Sequence, residues 1–387
     1  MTPRIPFNRP VAVGNELRYI GEALAGGHLS GEGPFAHRCQ DLLHTFFAPG
    51  KVLLTPSCTH ALELAALLLD IRPGDEVILP SFTFVSTANA FVLRGARPVF
   101  AEVRHDTLNL DAAQLAPLIS PRTRAIVVVH YAGVACEMDS IAALAARHGI
   151  PLVEDNAHGL FGQYRGRWLG TFGALATLSF HETKNVTCGE GGALVVNDPA
   201  LFPRAEIVRE KGTDRSRFFR GEVDKYTWVD IGSSYLPSEV SAAMLLAQLE
   251  HWKCIQARRR ALYHRYLSGL AEWARRAGAL LPCLPPECEP AYHLFHLRLP
   301  TQAARNAFIR WLDERGVHAV FHYVPLHSSP MGRGFGYGEG DLPVTESASA
   351  RLVRLPLFFD LSDDEQERAM AAATGFPAVK PASGKES

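Results

Sequence analysis

The sequence predicts an α/β protein: a large domain with a mainly parallel central sheet, followed by a smaller C-terminal α+β domain. Between about residues 50 and 250, short apolar runs rich in β-branched residues alternate with helical stretches rich in Ala and Leu. Strands that are apolar on both faces and are separated by helices are typical of a parallel sheet covered by helices. The pattern changes after Gly278 and the proline-rich segment 282–286, which indicates a second unit.

The individual elements follow from hydrophobic periodicity. In the large domain we predict strands at 76–79, 98–100, 125–129 and 152–153, and helices at 61–69 and 140–148. The stretch 238–266 has a helical period, and after the prolines we predict a strand at 293–299, a helix at 303–315 and a strand at 319–321. We therefore expect a large domain over 1–250 that includes an N-terminal arm, a helical connection and small domain over 251–377, and a disordered polar tail over 378–387.

The composition argues against several classes of function. The 387 residues include 39 basic and 40 acidic side chains, and this balance provides no excess of basic charge for nucleic acid or an anionic membrane. The apolar runs are too short to span a bilayer. The seven cysteines are scattered and odd in number, which favours free thiols in a reducing cytoplasm. We expect a cytoplasmic protein without a nucleic-acid, membrane or metal partner.

A carboxylate and a lysine follow two apolar runs near the middle of the chain. Asp155 comes soon after the run 151–153, and we expect Lys184 at the end of a second short strand, before the glycine-rich turn 189–192. Pyridoxal 5′-phosphate (PLP) chemistry needs this pair, because a lysine holds the cofactor aldehyde as a Schiff base and an aspartate keeps the pyridine nitrogen protonated. Taken singly, the two residues also fit a helix N-cap and a solvated surface lysine.

Seven motifs, in order along the chain, carry a family resemblance. They are the segments 5–8, 53–59, 80–90, 130–139, 209–213, 224–228 and 321–327. From residue 5 to about residue 361 the chain resembles the fold-type I sugar-nucleotide aminotransferases of the DegT type. Within that family it is most similar to the transaminases that form dTDP-4-amino-4,6-dideoxygalactose. The resemblance implies the fold of a fold-type I PLP-dependent aminotransferase, with Lys184 as the catalytic residue and Asp155 as the partner of the pyridine nitrogen.

The resemblance also implies where the cofactor phosphate binds. Ser57, Cys58 and Thr59 correspond to the turn that holds it, and amides at a helix N-terminus with hydroxyls beside them suit an anion. A plain helix cap is the alternative interpretation. Family members often carry Gly at the position of Cys58, so the thiol is interpreted as a packing substitution. Ser179 corresponds to a second phosphate ligand.

Around the cofactor ring, the resemblance assigns two more positions. Phe84 corresponds to the aromatic residue that stacks on the ring, and Phe82 is the alternative, because alternation in an extended segment sends both to one face. His158 stands where Gln is common in the family. The resemblance further implies a homodimer with shared active sites, and Ser234 occupies the segment that reaches the phosphate of the neighbouring subunit.

The substrate-binding candidates lie in loop stretches that provide cationic and hydroxyl donors, which suit a nucleotide diphosphate. Solvated loop charges are the alternative for each one. The candidates are Leu29, Ser30, Lys211, Arg220, Lys225, Tyr226, His322 and Tyr323.

The function that follows from this resemblance is amino transfer from L-glutamate to the 4-keto carbon of dTDP-4-keto-6-deoxy-D-glucose, giving dTDP-4-amino-4,6-dideoxy-D-galactose. Another dTDP- or UDP-keto sugar, with a 3-keto group or a glucose-configured product, is the first alternative. A PLP sugar dehydratase is disfavoured because those family members replace the lysine with histidine, whereas this chain has Lys184. A non-catalytic PLP-binding regulator would need a DNA-binding segment, and neither terminus carries the basic charge for one.

Overall fold

The computed structural model describes residues 3–377, and the predicted tail, 378–387, lies outside them. The strands are β1 (Lys51–Thr55), β2 (Glu76–Pro80), β3 (Arg97–Ala101), β4 (Thr123–Val129), β5 (Leu152–Asp155), β6 (Gln163–Tyr164), β7 (Arg167–Trp168), β8 (Leu175–Ser179), β9 (Gly192–Val196), β10 (Cys288–Glu289), β11 (Phe295–Arg298) and β12 (Leu352–Leu355). The helices are α1 (Glu16–Ala25), α2 (Pro34–Phe47), α3 (Cys58–Leu68), α4 (Val85–Val92), α5 (Met138–His148), α6 (Phe202–Arg209), α7 (Arg215–Phe219), α8 (Glu239–Glu250), α9 (Trp252–Ala277), α10 (Gln302–Glu314), α11 (Pro330–Gly334), α12 (Pro343–Arg351) and α13 (Asp363–Thr374).

A seven-stranded sheet in the order β1-β9-β8-β5-β4-β2-β3 forms the centre of the fold. Strands β8, β5, β4, β2 and β3 pair in parallel, and β9 is inserted antiparallel between β8 and β1. The prediction of a mainly parallel sheet is therefore confirmed. The predicted strands at 76–79, 98–100, 125–129 and 152–153 correspond to β2 to β5.

The alternation of side chains along the strands explains why the sheet is buried on both faces. In β4, Ala125 and Val127 pack into one apolar cluster, and Ile126 and Val128 pack into another. All four side chains are fully buried. Because successive residues of a strand point to opposite faces, a run without polar residues requires helices on both sides of the sheet.

A second apolar cluster lies in the C-terminal part of the chain. It is built from residues of α9, α10 and α13 together with the antiparallel pair β11–β12. Ile5, close to the N-terminus, also belongs to this cluster, and it forms a bridge with Val317. The N-terminal arm thus packs on the C-terminal unit, although the sequence places it with the large domain.

Three predicted elements differ in the structure. The helical stretch 238–266 is two helices, because the chain leaves the helical conformation at His251, whose Nδ1 bonds the Ala247 carbonyl at 2.9 Å. The predicted strand 319–321 is reduced to a bridge between Val320 and Arg354. The strand before Lys184 ends at Ser179, so the lysine lies in the following turn rather than at a strand end.

Across residues 3–377, no helix combines the length and the apolar character needed to cross a membrane. None of the seven cysteines, which all lie within residues 3–377, forms a disulfide in this structure.

Candidate active site

A cavity of about 380 Å³ lies beyond the carboxyl ends of the central strands. Val129, Asp155 and Ser179, the last residues of β4, β5 and β8, line it, and so do Ser57 and Thr83 from the turns after β1 and β2. Strands β4, β5 and β8 run in one direction, so the segments that follow them meet at one edge of the sheet. This edge is where α/β sheets bind ligands.

Lys184 lies in the wall of this cavity. Its turn is held by backbone hydrogen bonds, including one of 2.9 Å from the Lys184 amide to the His181 carbonyl. Burial lowers the pKa of the Lys184 amine to about 8, and the positive charge of Arg354 acts in the same direction. A lysine with this pKa is partly neutral near physiological pH, so it can act as a nucleophile or move a proton.

Asp155 is a buried carboxylate without a cationic partner. Its Oδ2 accepts a hydrogen bond of 2.7 Å from the Thr87 hydroxyl, and its Oδ1 accepts one of 3.2 Å from the Ala157 amide. No lysine, arginine or histidine nitrogen lies within 4 Å of it in the part of the chain that the structure describes. Burial raises its pKa. Such a carboxylate suits a protonated pyridine nitrogen, which would provide the missing positive charge.

Two hydroxyls orient Asp155. The Thr87 hydroxyl that donates to Asp155 lies 2.8 Å from the hydroxyl of Thr83, and both side chains are buried. A carboxylate that is held in this way has one preferred orientation toward the cavity.

The N-terminus of α3 also lies in the wall of the cavity. Ser57 is the N-cap residue, and its hydroxyl accepts a hydrogen bond of 3.2 Å from the His60 amide. The helix-cap interpretation is therefore true of Ser57, but Ser57, Cys58 and Thr59 also line the cavity. Amides at a helix N-terminus attract an anion, and Ser179 lines the same cavity.

Gly192 allows the Ser57 turn to lie close to the sheet. It pairs with Thr55 on one side and Ser179 on the other. A Cβ at this position would lie 2.3 Å from the Ser57 carbonyl carbon and 2.4 Å from the Cys58 amide nitrogen. Only glycine fits without displacing the turn, so this residue brings the α3 terminus next to β8.

Cys58 is a packing residue in this geometry. Its thiol donates to the Thr177 hydroxyl at 3.4 Å, and burial raises its pKa to about 12. The side chain is therefore a neutral thiol at physiological pH.

Three histidines form one wall of the cavity. The rings of His158 and His293 have centroids 4.3 Å apart, and the ring of His322 is parallel to that of His158 at 6.3 Å. Burial lowers the pKa of all three imidazoles, in the case of His322 to about 2. The wall is thus uncharged near neutral pH, and the buried Nδ1 of His158 has no hydrogen-bond partner among residues 3–377.

The two candidate aromatic residues occupy different environments. Phe84 lines the cavity and is 57% exposed, whereas Phe82 is buried against Tyr131 and Tyr323 with ring centroids 5.0 and 5.7 Å away. The expectation that both share one face was wrong, because β2 already ends at Pro80 and residues 81–83 are bends rather than a continuous strand. Phe84 is the residue that can stack on a ring in the cavity.

The substrate candidates divide into two groups. His322 and Tyr323 line the cavity. The others are exposed and do not line it; they are Leu29, Ser30, Lys211, Arg220, Lys225 and Tyr226, and the dimer candidate Ser234 is exposed in the same way. The charge of Arg220 is already compensated by Glu206 and Glu222, at 3.0 and 2.6 Å.

Comparisons with known proteins identify the family. The profile of the DegT/DnrJ/EryC1/StrS aminotransferase family matches residues 11–374. The chain belongs to this family.

Solved structures of family members are similar over nearly the whole chain. The aminotransferase TlmJ from Streptoalloteichus hindustanus is 33% identical, with a TM-score of 0.87 over 96% of this chain and 98% of TlmJ. DesV from S. venezuelae is 36% identical, with a TM-score of 0.87 and the same coverage. The putative sugar aminotransferase Spr1654 from Streptococcus pneumoniae, solved in its PLP form, is 25% identical, with a TM-score of 0.88 over 96% of this chain and 98% of Spr1654. This aminotransferase is a PLP-dependent enzyme of fold-type I, as the motifs implied.

The cavity of the aminotransferase fits PLP. The unpaired carboxylate of Asp155, the lysine amine, the amides at the N-terminus of α3 and the exposed ring of Phe84 have the chemistry to meet the nitrogen, aldehyde, phosphate and ring of the cofactor. Cavity residues that the sequence analysis did not assign to the site include Phe7, Thr87, His293 and Arg354. Phe7 and Thr87 lie within recognised motifs, 5–8 and 80–90, but no pattern singles out His293 or Arg354.

Proposed function

We propose that this aminotransferase transfers an amino group from L-glutamate to the 4-keto carbon of dTDP-4-keto-6-deoxy-D-glucose, giving dTDP-4-amino-4,6-dideoxy-D-galactose. The observation that carries amino transfer is the presence of Lys184 and the unpaired Asp155 in one cavity of about 380 Å³. The sugar substrate is supported by the similarity to Spr1654, a putative sugar aminotransferase. The 4-keto position and galactose configuration are supported by the motifs 226–228, 233–235 and 321–323.

The residues of the cavity have distinct roles in this proposal. Bound PLP supplies an electron-withdrawing ring that lowers the barrier to removing a proton from the carbon next to nitrogen. Asp155 holds the pyridine nitrogen in its protonated form, and Thr87 fixes the direction of that carboxylate. Lys184 Nζ takes the proton from Cα of glutamate and delivers a proton to C4 of the hexose. The neutral histidine wall adds no positive charge that would lower the pKa of Lys184 further.

Ser57, Cys58, Thr59 and Ser179 are proposed to hold the cofactor phosphate, and Phe84 to stack on its ring. His158 lies in the ring wall with an unpaired Nδ1, so it can bond to the cofactor or substrate without carrying charge.

We also propose that the active enzyme is a homodimer with shared active sites. The segment 218–231 exposes apolar side chains, among them Phe219 at 68% and Trp228 at 77%. The rings of Phe218 and Phe219 have centroids 5.6 Å apart, and those of Phe218 and Tyr226 5.8 Å. A cluster of exposed apolar side chains supports an interaction site. The predicted sugar-nucleotide ligands Lys211, Lys225 and Tyr226 lie in or near this segment but do not line the cavity of their own chain. In this proposal they contact the substrate in the cavity of a second copy.

The substrate is tested with purified enzyme, L-glutamate and a panel of dTDP- and UDP-linked keto sugars. We expect the dTDP-4-keto-6-deoxyglucose reaction to be fastest, with a galactose-configured 4-amino group in the NMR spectrum of the product. A glucose-configured product, a 3-amino product or a preference for a UDP sugar would refute this assignment while retaining aminotransferase activity. No amino transfer to any keto sugar, with glutamate still converted to 2-oxoglutarate by the loaded enzyme, would refute the sugar substrate altogether.

Shared sites are tested by complementation. Lys184→Ala and Lys225→Ala are each expected to reduce activity, and a mixture of the two is expected to regain activity after subunit exchange. In a hybrid dimer one cavity would combine an intact Lys184 with an intact partner Lys225. No gain in activity from a mixture that demonstrably forms hybrids would contradict shared sites.

A further inference from the structure

Arg354 is a cation in the cavity wall that no carboxylate among residues 3–377 neutralises. It lies on β12 opposite His296, and its backbone forms the bridge with Val320. Its guanidinium lies over the ring of Phe7, 4.4 Å from the centroid, and both side chains line the cavity of Lys184. Among the cavity-lining residues that the structure describes, it is the only arginine.

The guanidinium of Arg354 also lacks hydrogen-bond partners. Its Nε is buried and unpaired, and no carboxylate lies within 4 Å of the side chain anywhere in residues 3–377. Arg259, which is also buried, differs: it donates to the carbonyl oxygens of Tyr292, at 2.9 Å, and of Leu357, at 3.2 Å. Burial lowers the pKa of Arg354, which reports the unfavourable free energy of an uncompensated buried charge. An anionic ligand in the cavity would remove that penalty.

The position of Arg354 limits which anion it can meet. Its side chain lines the same cavity as Lys184, His293 and His322, so it belongs to the wall around the reacting lysine. In an amino acid, the α-carboxylate is bonded to the carbon that carries the amino group. In a sugar nucleotide, the hexose ring separates C4 from the diphosphate. An arginine in the wall of the lysine's own cavity therefore matches the carboxylate of the amino donor better than the diphosphate.

We infer that Arg354 binds the α-carboxylate of the amino donor and thereby selects an amino acid as the donor substrate. A planar guanidinium can form two parallel hydrogen bonds with a carboxylate, which fixes the orientation of Cα as well as its position. This assignment rests on the proposed glutamate-dependent amino transfer. The neutral imidazole of His322 and the hydroxyl of Tyr323, in the same wall, are available as additional donors.

The test compares Arg354→Gln with Arg305→Gln in the PLP-loaded enzyme. Arg305 is the matched control because it too is buried with unpaired nitrogens and lies over an aromatic ring, that of Phe321, at 4.8 Å, but it does not line the cavity. Binding of glutarate, an unreactive dicarboxylate, and of dTDP is measured by calorimetry. The two half-reactions, loaded enzyme with glutamate and aminated enzyme with keto sugar, are followed separately through the visible absorption of the cofactor.

We expect Arg354→Gln to weaken glutarate binding and raise the glutamate concentration for half-maximal rate by roughly 10- to 100-fold, the usual effect of losing a charge-assisted pair. The dTDP affinity and the sugar half-reaction should change less than about twofold, and Arg305→Gln should change none of these quantities. Arg354→Lys, which keeps the charge but not the planar fork, should give an intermediate effect and serves in its place if the glutamine variant does not bind PLP.

Three results would overturn the inference. Unchanged glutarate and glutamate binding in both Arg354 variants would exclude a role in binding the donor. Weakened dTDP binding with normal glutarate binding would assign Arg354 to the diphosphate. An equal loss of glutarate binding in Arg305→Gln would show that the effect comes from altered folding and not from a contact with the donor. Failure of the underlying proposal looks different, because the wild-type enzyme itself would then show no absorption change with glutamate.

Discussion

Replacing Gly192 with Ala tests the geometry of the phosphate end of the cavity. The new Cβ would lie 2.3 Å from the Ser57 carbonyl carbon, whereas two carbon atoms in contact need about 3.5 Å. All three of the nearest atoms belong to the backbone of Ser57 and Cys58, so no side chain can rotate away. The turn must therefore withdraw by about 1.2 Å, the difference between these two distances.

This displacement is large on the scale of a binding site. Phosphate held by amides at a helix terminus loses its charge-assisted hydrogen bonds when the turn moves, and each is typically equivalent to about 1.5–3 kcal/mol. We expect the dissociation constant of PLP to rise roughly 10- to 100-fold. Pyridoxal, which lacks the phosphate, should bind the variant and the wild type with similar affinity. Overpacking should also lower the stability of the apo protein by about 1–3 kcal/mol.

The assay is a titration of the apo protein with PLP and with pyridoxal, monitored by visible absorption, together with thermal unfolding. Gly21→Ala is the control, because Gly21 lies in α1 and a Cβ there would meet nothing within 4 Å. If the dissociation constant of PLP in Gly192→Ala is within about twofold of the wild-type value, the close approach of β9 to the Ser57 turn does not contribute to cofactor binding. An equal loss of pyridoxal affinity would show that the damage is not specific to the phosphate.

The other predictions concern the reacting end of the cavity. Lys184→Ala should abolish amino transfer and keep a native circular dichroism spectrum; turnover of glutamate near the wild-type rate would disprove its catalytic role. Asp155→Asn should retain PLP but lower the rate by about 10²–10³-fold or more, and a rate within about twofold of the wild type would remove Asp155 from the pyridine nitrogen. Thr87→Val should lower kcat and shift the visible band of the bound cofactor, since it removes the hydroxyl that donates to Asp155. Thr87→Ser, which keeps the hydroxyl, should resemble the wild type. Equal effects of the two substitutions would indicate that Thr87 acts through packing and not through its hydrogen bond. The rate at which apo protein incorporates PLP should rise with pH and level off above about pH 8, because the reactive form of Lys184 is the neutral amine and its pKa is lowered to about 8. The rate is measured by stopped-flow absorption between pH 6 and 9, a range over which the ratio of neutral to charged amine changes by about tenfold or more on each side of that pKa. A rate that is flat over this range would contradict the prediction.

Local patterns were sufficient for the central sheet. Each of the strands β2 to β5 is a short apolar run, and burial on both faces follows from the lack of polar alternation, as Ala125 to Val128 show. The pattern was insufficient where two helices meet end to end. Helices α8 and α9 both have buried apolar residues on either side of His251, so the period continues through a break that only backbone geometry reveals.

The residues of the active site also divide into those that local patterns reveal and those that they do not. Lys184, Asp155, Ser57 and Ser179 could be recognised because each follows an apolar run and the motifs around them are similar to those of a known family. All four line the same cavity. The exact register could not be recognised. Phe82 and Phe84 illustrate this, since α4 begins directly after Phe84 and the two aromatic side chains lie in different environments.

By itself, the sequence determined the α/β class, the family and the lysine–aspartate pair, because these depend on residue types and spacings over short stretches of chain. Only the tertiary structure decided that His293 and Arg354, more than a hundred residues after Lys184, complete the wall around it. It also decided that Asp155 and Arg354 both lack an oppositely charged partner within residues 3–377. Charge compensation is a property of distances in space, which depend on the order in which the strands pair and on how the C-terminal unit packs against the sheet. No local pattern contains those distances.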